Sequence, residues 1–329
     1  MPSWHMLNID DREKADGVRG KFPEFIFDGH DWIVKLLAQP KLPSADSPEA
    51  VPKYYTEALN DKWHELGALS VLLPELIAII FSHVEYMDDA ACLAVTHRLL
   101  GYEGFRRAVE LRRWEWYYLG RWRYARIITL GSGVKTLPKG LLDETEQEEM
   151  KRDASSYGLF YDMDKRSRWA APFDMAWHYR DWQLKPALAR ISHLRSDELR
   201  IRLLIQDTSP TYAPQSTWAL CNFDTREYIR AGAIANMKIP GSEGRMLQVG
   251  SVADGPFIRG KRKVVDLGTV AIILTAWPCY QSGGQWAGHR LEICRVRTLS
   301  RKNWKDVSRW AVGLIEDWAR GMDAHLLYY

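Results

Sequence analysis

The chain has 329 residues, of which 46% are hydrophobic and 26% charged, and its formal net charge is +3. That length suits about two domains, the near-neutral charge gives no general drive toward nucleic acid or membrane surfaces, and no apolar run of about 18 residues marks a transmembrane helix. The four cysteines (Cys92, Cys221, Cys279, Cys294) stand far apart with no CxxC pair, so neither a disulfide framework nor a structural zinc site is expected, and no metal or cofactor is assigned. The N-terminus lacks a basic region followed by an apolar one, so residence is expected to be cytoplasmic or nuclear.

Residues 1–54 read as an extension and linker, because Gln39–Lys53 holds Pro40, Pro43, Pro48 and Pro52, each fixing φ and removing a donor. Within it Asp31–Leu37 suits a short helix or strand. Residues 55–119 read as helical. Tyr55–Leu69 is a modest helix. Leu73–Val84 is stronger, with Leu73, Leu76, Ile77, Ile80, Phe81 and Val84 at 3/4 spacing and Pro74 suited to a first turn. Asp88 or Asp89 can cap the next helix, which turns Cys92, Leu93, Thr96, Leu99 and Leu100 inward. A third helix covers about Gly104–Trp116.

From residue 120 the pattern changes. Arg121–Leu130 is aromatic and β-branched and ends at Gly131, which predicts a strand and turn. Leu137–Ala154 reads as a loop and acidic helix, with Asp143 and Glu146 at capping-box spacing. Further strands are predicted at Leu199–Gln206, Trp218–Asn222, Met246–Val252, Val264–Leu274 and Arg290–Val296, and Ser300–Gly321 reads as a closing amphipathic helix. The expected fold class is α+β: a helical module at 55–119, then a mainly antiparallel sheet with flanking helices at 120–329. Gly120-Arg-Trp-Arg-Tyr-Ala-Arg-Ile-Ile and Gly284-Gln-Trp-Ala-Gly-His-Arg-Leu-Glu-Ile echo each other, either as two similar strands of one sheet or by coincidence.

Several chemical readings give way to plainer ones. Arg106, Arg107, Arg112, Arg113, Arg121, Arg123 and Arg126 interleave with aromatics in a pattern able to track phosphates, but Glu103, Glu110 and Glu115 dilute the charge. Gly131-Ser-Gly-Val-Lys-Thr136 is not a phosphate loop, since Val134 separates Gly133 from Lys135. His178, His193, Asp174 and Asp181 lie in a Trp-rich stretch, yet no HExxH, no GxSxG and no tight His/carboxylate spacing appears, so no catalytic residue is nominated. The 15 tryptophans more often build cores than ligand surfaces.

Leu73-Pro74-Glu75-Leu76, Ile80-Phe81, Asp88-Asp89 and Leu93…Val95…Arg98 resemble an F-box. The resemblance implies a three-helix module that docks a Skp1-like adaptor of a ubiquitin ligase through Leu73, Pro74, Leu76, Ile80 and Phe81, and that brings an unknown target protein close. Residues 70–300 are also similar to a group of basidiomycete fungal proteins that join an F-box-like segment to a domain carrying Trp218-Ala-Leu-Cys-Asn-Phe-Asp-Thr-Arg-Glu-Tyr228 and Trp286-Ala-Gly-His-Arg290. Similar strand motifs resemble those of small bacterial proteins of unknown role, in which an Asp commonly precedes the Arg, where this chain has Ala125 and His289. The reading from a different class is a small-molecule binder or enzyme, with Trp218, Tyr228, Trp286, His289 and Arg290 around its pocket.

Overall fold

The computed structural model describes residues 4–15, 29–57, 63–131, 134–152, 171–173, 184–191, 195–214, 217–240, 246–260, 265–277, 284–299 and 303–321. The chain divides into a sheet unit (residues 1–39, 119–175 and 212–329) and a helical unit (residues 40–118 and 176–211). In chain order come β1 (Trp4–Asn8), β2 (Glu13–Ala15) and α1 (Asp31–Leu37) of the sheet unit. The helical unit then supplies α2 (Lys53–Glu57), a 3-10 stretch (Trp63–Val71), α3 (Pro74–Ser82), α4 (Met87–Thr96) and α5 (Gly101–Trp116). The sheet unit resumes with β3 (Ala125–Gly131), α6 (Glu144–Arg152) and β4 (Ala171–Phe173), and the helical unit with α7 (Leu184–Ile191) and α8 (Arg195–Asp207). The sheet unit ends the chain: β5 (Trp218–Asn222), β6 (Glu227–Arg230), α9 (Ala231–Ala235), β7 (Lys238–Pro240), β8 (Met246–Gln248), β9 (Ser251–Ala253), β10 (Phe257–Arg259), α10 (Leu267–Thr275), β11 (Ala276–Trp277), β12 (His289–Arg295), β13 (Lys305–Asp306) and α11 (Ser308–Gly321). The class is α+β.

The principal sheet runs β13-β6-β5-β12-β3-β1-β2-β4, with β11 beside β3, and its two halves are built alike. The hairpin Trp4-His-Met-Leu-Asn-Ile-Asp-Asp-Arg-Glu13 has the same Trp, Asn, Asp, Arg and Glu spacing as Trp218-Ala-Leu-Cys-Asn-Phe-Asp-Thr-Arg-Glu227. In both hairpins the Asn faces the Glu across the strands, and both turn arginines have positive φ, 57° at Arg12 and 55° at Arg226. A short strand lies parallel to each outer arm, β4 on β2 and β13 on β6. The two Gly-x-Trp echoes are neighbours: β3 and β12 pair antiparallel, with Arg126 opposite Arg290. These are the same position in the two copies, so a local two-fold axis perpendicular to the sheet passes between them.

The hydrogen bonds around the echoes repeat as well. Gly120 and Trp122 donate their N–H groups to the carbonyls of Lys35 and Leu36, while Gly284 and Trp286 donate theirs to Ile273 and Leu274. Just beyond each helix, Ala38 bridges to Ile293 and Ala276 pairs with Thr129. Helices α1 and α10 are therefore equivalent, and both pack on one face of the sheet over Met6, Ile127, Leu220, Ile229, Leu291 and Ile293, all buried. Where the second half passes from Trp277 to Gly284 in a few residues, the first half carries residues 40–118 between α1 and Gly120. Residues 40–118 are thus a long insertion in one of two matching halves.

The opposite face differs between the halves. In the first, Leu7, Ile9, Ile128 and Leu130 form a core with Val134, Leu141, Leu142 and Ala287. In the second, Ala219, Cys221 and Leu299 lie under Phe223, Tyr228, Cys294 and Trp304.

In the helical unit α3 and α4 both pack on α5, and α4 and α5 approach closely at Gly104, where an added Cβ would stand 2.1 Å from that of Ala94. Helices α7 and α8 pack on α4, and α8 also on α5, so the helices of 55–119 continue into partners from far downstream. The buried Arg112 of α5 donates to the carbonyl of Ile205 (2.9 Å) and to the hydroxyls of Thr208 and Ser209 (3.1 Å each), binding it to the C-terminal end of α8.

Several expected elements change. Residues 4–15 and 31–37, expected in an N-terminal extension, are sheet strands and a core helix, because Trp4, Met6, Leu7, Ile33, Val34, Leu36 and Leu37 are buried. The strand expected at Leu199–Gln206 is α8, with Ile201, Leu204 and Ile205 buried at helical spacing and Glu198 bonded to Arg202 one turn on. The strand expected at Val264–Leu274 is α10, buried on every side; periodicity cannot distinguish such a run from a core strand, and the Asp266–Thr269 capping box decides it. Met246–Val252 is two short strands, and the closing helix begins at Ser308. The Tyr55–Leu69 helix resolves into α2 and a 3-10 stretch kinked at Gly67, where φ is 59°. Asp88 and Asp89 lie within the first turn of α4, whose N-cap is Tyr86, and there they pair with Arg190 of α7. Thr96, expected inward, is exposed. The Asp143–Glu146 box forms as its spacing predicts, with reciprocal backbone bonds of 2.8 and 2.9 Å.

Candidate functional site

Helix α3 is apolar on more than one face, and the structure uses the faces differently. Ile77 and Phe81, one turn apart, point inward at 2% and 1% exposure, while Leu73 (65%), Leu76 (43%), Ile79 (52%) and Ile80 (41%) face solvent. Pro74 occupies the first turn, as its spacing suggests. Of the five residues expected to meet an adaptor, Leu73, Pro74, Leu76 and Ile80 form an exposed strip with Ile79. Phe81 lies beneath it, within reach of Gly104 of α5, and anchors the helix from inside.

The five residues expected around a ligand are not all brought together. Trp218 begins β5, four residues from Asn222, or roughly 13 Å along the strand; its indole N–H donates to the carbonyl of Ala213 at 3.0 Å, and its ring is buried. Strand alternation splits the other four. His289 shares a face with Asn222 and Glu227, whereas Arg290 and Tyr228 share the opposite face with Cys221 and Cys294. Trp286 is fully buried in the turn before β12, and its indole N–H reaches Glu227 at 3.3 Å, just as that of Trp122 reaches Glu13 at 2.7 Å.

His289 is held in one state. Asn222 Oδ1 accepts the backbone N–H groups of Asp224 and Thr225, which leaves its Nδ2 to donate to His289 Nδ1 at 2.8 Å. Nδ1 is thereby an acceptor, so the ring is neutral with its proton on Nε2. Burial pushes the pKa of His289 below its ordinary 6.5, against the opposing pull of Asp224 and Glu227.

On the other face lies a cavity of about 600 Å³ lined by Phe223, Arg226, Glu292, Cys294, Leu299 and Trp304, among others. Its aromatic wall continues as edge-on contacts from Tyr124 to Phe223 and from Phe223 to Trp304. Arg290 lies over the Tyr124 ring. Cys221 and Cys294 sit diagonally on β5 and β12 with sulfurs 3.5 Å apart, and the hydrogen bond from Cys221 lowers the pKa of Cys294 against its burial. Apart from Arg290 and Tyr228 on the same face, sequence reasoning missed this cavity. The signal that reaches it is the shared Trp-x-x-x-Asn-x-Asp-x-Arg-Glu spacing, which places Phe223 and Arg226 in one repeat.

The arginines of 106–126 make no free basic face. They are engaged by Glu103, Glu110, Asp46, Glu13, Glu292, Asp10 and Glu146, and Arg112 by the end of α8. The residues Asp174, His178, Asp181 and His193 lie outside the described residues. Among the described residues no three His, Cys, Asp or Glu side chains converge to hold a metal ion, and no helix is long and apolar enough to cross a membrane. No protein-family profile, curated protein or solved structure matches the chain.

Proposed function

We propose that the chain is an F-box-type interaction protein, a cytoplasmic or nuclear substrate receptor that docks a Skp1-like ubiquitin-ligase adaptor through Leu73, Pro74, Leu76 and Ile80. The observation that carries this reading is the exposed strip on α3: a helix already anchored by Ile77 and Phe81 still shows solvent four large aliphatic side chains. Full burial of one such side chain is worth about 1.5–3 kcal/mol, and contiguous apolar patches of this kind mark partner surfaces. The mechanism is tethering, which raises the local concentration of a target near the ligase, and the reading assigns the chain no reaction of its own.

The test is capture of the purified chain by an immobilised Skp1-like adaptor, comparing the wild type with Leu73→Asp combined with Ile80→Asp. Both positions face solvent, so circular dichroism is expected to be unchanged. Capture of the wild type and its loss in the folded variant support the reading. No capture of the wild type, or equal capture of both, removes it. A second reading, ligand binding by the sheet unit, is favoured by the cavity beside Cys294 rather than by the Trp218–His289 grouping.

A further inference from the structure

The two-fold repetition of the sheet unit gives each wall of the cavity a counterpart. By position Cys221 matches Leu7, Phe223 matches Ile9, Glu292 matches Ile128 and Cys294 matches Leu130. In the first half these positions are closed core, because the chain after β3 folds back over them with Leu141 and Leu142 buried and Met150 packed on top. Helix α6 is fastened there by charge. Glu146 receives Arg126 at 2.7 Å, and Glu149 receives Arg12 at 2.6 Å. Three residues apart, these two carboxylates share one face of α6.

The second half keeps both arginines without an equivalent covering helix among the described residues. Arg226, the counterpart of Arg12, lines the cavity, is exposed, and has no ion-pair partner among the described residues. Arg290, the counterpart of Arg126, keeps its turn aspartate (Asp224, 3.7 Å) as Arg126 keeps Asp10, but no described carboxylate stands where Glu146 does. The chain after β12 contributes Thr298, Leu299, Asn303 and Trp304 to the wall, none of them acidic. The one carboxylate in the lining, Glu292, is neutralised by Arg123 at 2.8 Å. Where Leu141 rests against Gly288, the counterpart of Gly288 is Tyr124, whose ring adds to the aromatic wall. The site is an aromatic-walled cavity lined by Arg226, with Arg290 on the same face of the sheet, and among the described residues each arginine is short of a carboxylate that its counterpart possesses.

We infer that this cavity binds an acidic helical segment of a partner protein, led by aliphatic residues and carrying two carboxylates one turn apart, as α6 presents to the first half. The inference is independent of adaptor docking by α3. The aliphatic lead fills the space beside Cys294, Leu299 and Trp304, and the carboxylates meet Arg226 and Arg290 in charge-assisted bonds.

The probe is a fluorescent peptide with the sequence of residues 141–152, titrated by anisotropy against the full chain at about 50 mM salt, where charge screening is modest. Saturable binding is expected, weakened roughly tenfold or more by Arg226→Glu and abolished when the peptide carries Glu146→Lys and Glu149→Lys. Bound peptide should also slow alkylation of Cys294 by N-ethylmaleimide. Absence of binding, binding indifferent to Arg226→Glu, or binding lost with Arg12→Glu but not with Arg226→Glu would overturn the inference; the last would show the peptide displacing α6 instead.

Discussion

Asp266 joins the two equivalent helices of the sheet unit, and its removal gives a stability change that can be worked from the bonds it makes. The side chain is 1% exposed. One oxygen caps α10 by accepting the backbone N–H of Thr269 at 2.8 Å, and the other accepts the backbone N–H of His30, at the start of α1, at 2.6 Å. Asp266→Ala removes an N-cap, at about 1 kcal/mol, and leaves the buried N–H of His30 without this acceptor, at about 1–3 kcal/mol. The expected loss is roughly 2–4 kcal/mol. Asp266→Ser retains a capping oxygen for Thr269 but does not reach His30, so it should recover about 1 kcal/mol of that loss. Urea unfolding followed by tryptophan fluorescence reads both variants. A loss below about 1 kcal/mol for Asp266→Ala, or full recovery in Asp266→Ser, would refute the claim that this carboxylate ties α1 to α10.

Gly104→Ala should destabilise the helical unit by about 1–3 kcal/mol, because the new methyl meets Ala94 at 2.1 Å; thermal unfolding checks this. Folded His289 titrates below 6.5, so between that pKa and 6.5 the unfolded chain holds the extra proton. Its contribution to stability is complete above about pH 6.5 and falls as the pH drops through this window, and a stability–pH curve of wild type against His289→Gln should show the acid-side loss only in the wild type. Arg126→Gln breaks the link to Glu146 and Asp10 and should speed amide exchange in residues 141–152 while leaving β5 and β12 protected.

Helical periodicity reads truly where one face of the element is solvated, as in α3, while β3 and β5, buried on both faces, are read from aromatic and β-branched composition beside turn residues. α3, α5, β3, β5 and β12 appear close to their expected bounds, and the Asp143–Glu146 spacing gave the start of α6. Helix reading fails where burial is complete: α10 has no polar face to reveal a helical period, and only its Asp266 cap separates it from a strand. It also fails where the cause lies far along the chain. Nothing local to Trp4–Ala15 announces a central hairpin; its relation to Trp218–Ile229 does, through side chains that hold turns (Asn8 and Asn222, Asp10 and Asp224) and so persist where the packing residues between them vary. The weak Gly-x-Trp echo was the visible edge of that repetition. Of the candidate site, the aliphatic strip of α3 was legible from spacing, but which of its residues face outward depends on α5, and so Phe81 exchanged an expected docking role for an anchoring one.

The most direct test of the docking claim is hydrogen exchange of the full chain with and without a Skp1-like adaptor, resolved to peptides across residues 70–86. The account predicts protection on binding concentrated over Leu73–Phe81, absent in Leu73→Asp combined with Ile80→Asp. Adaptor binding that leaves these amides unchanged, or protects the sheet unit instead, would contradict it.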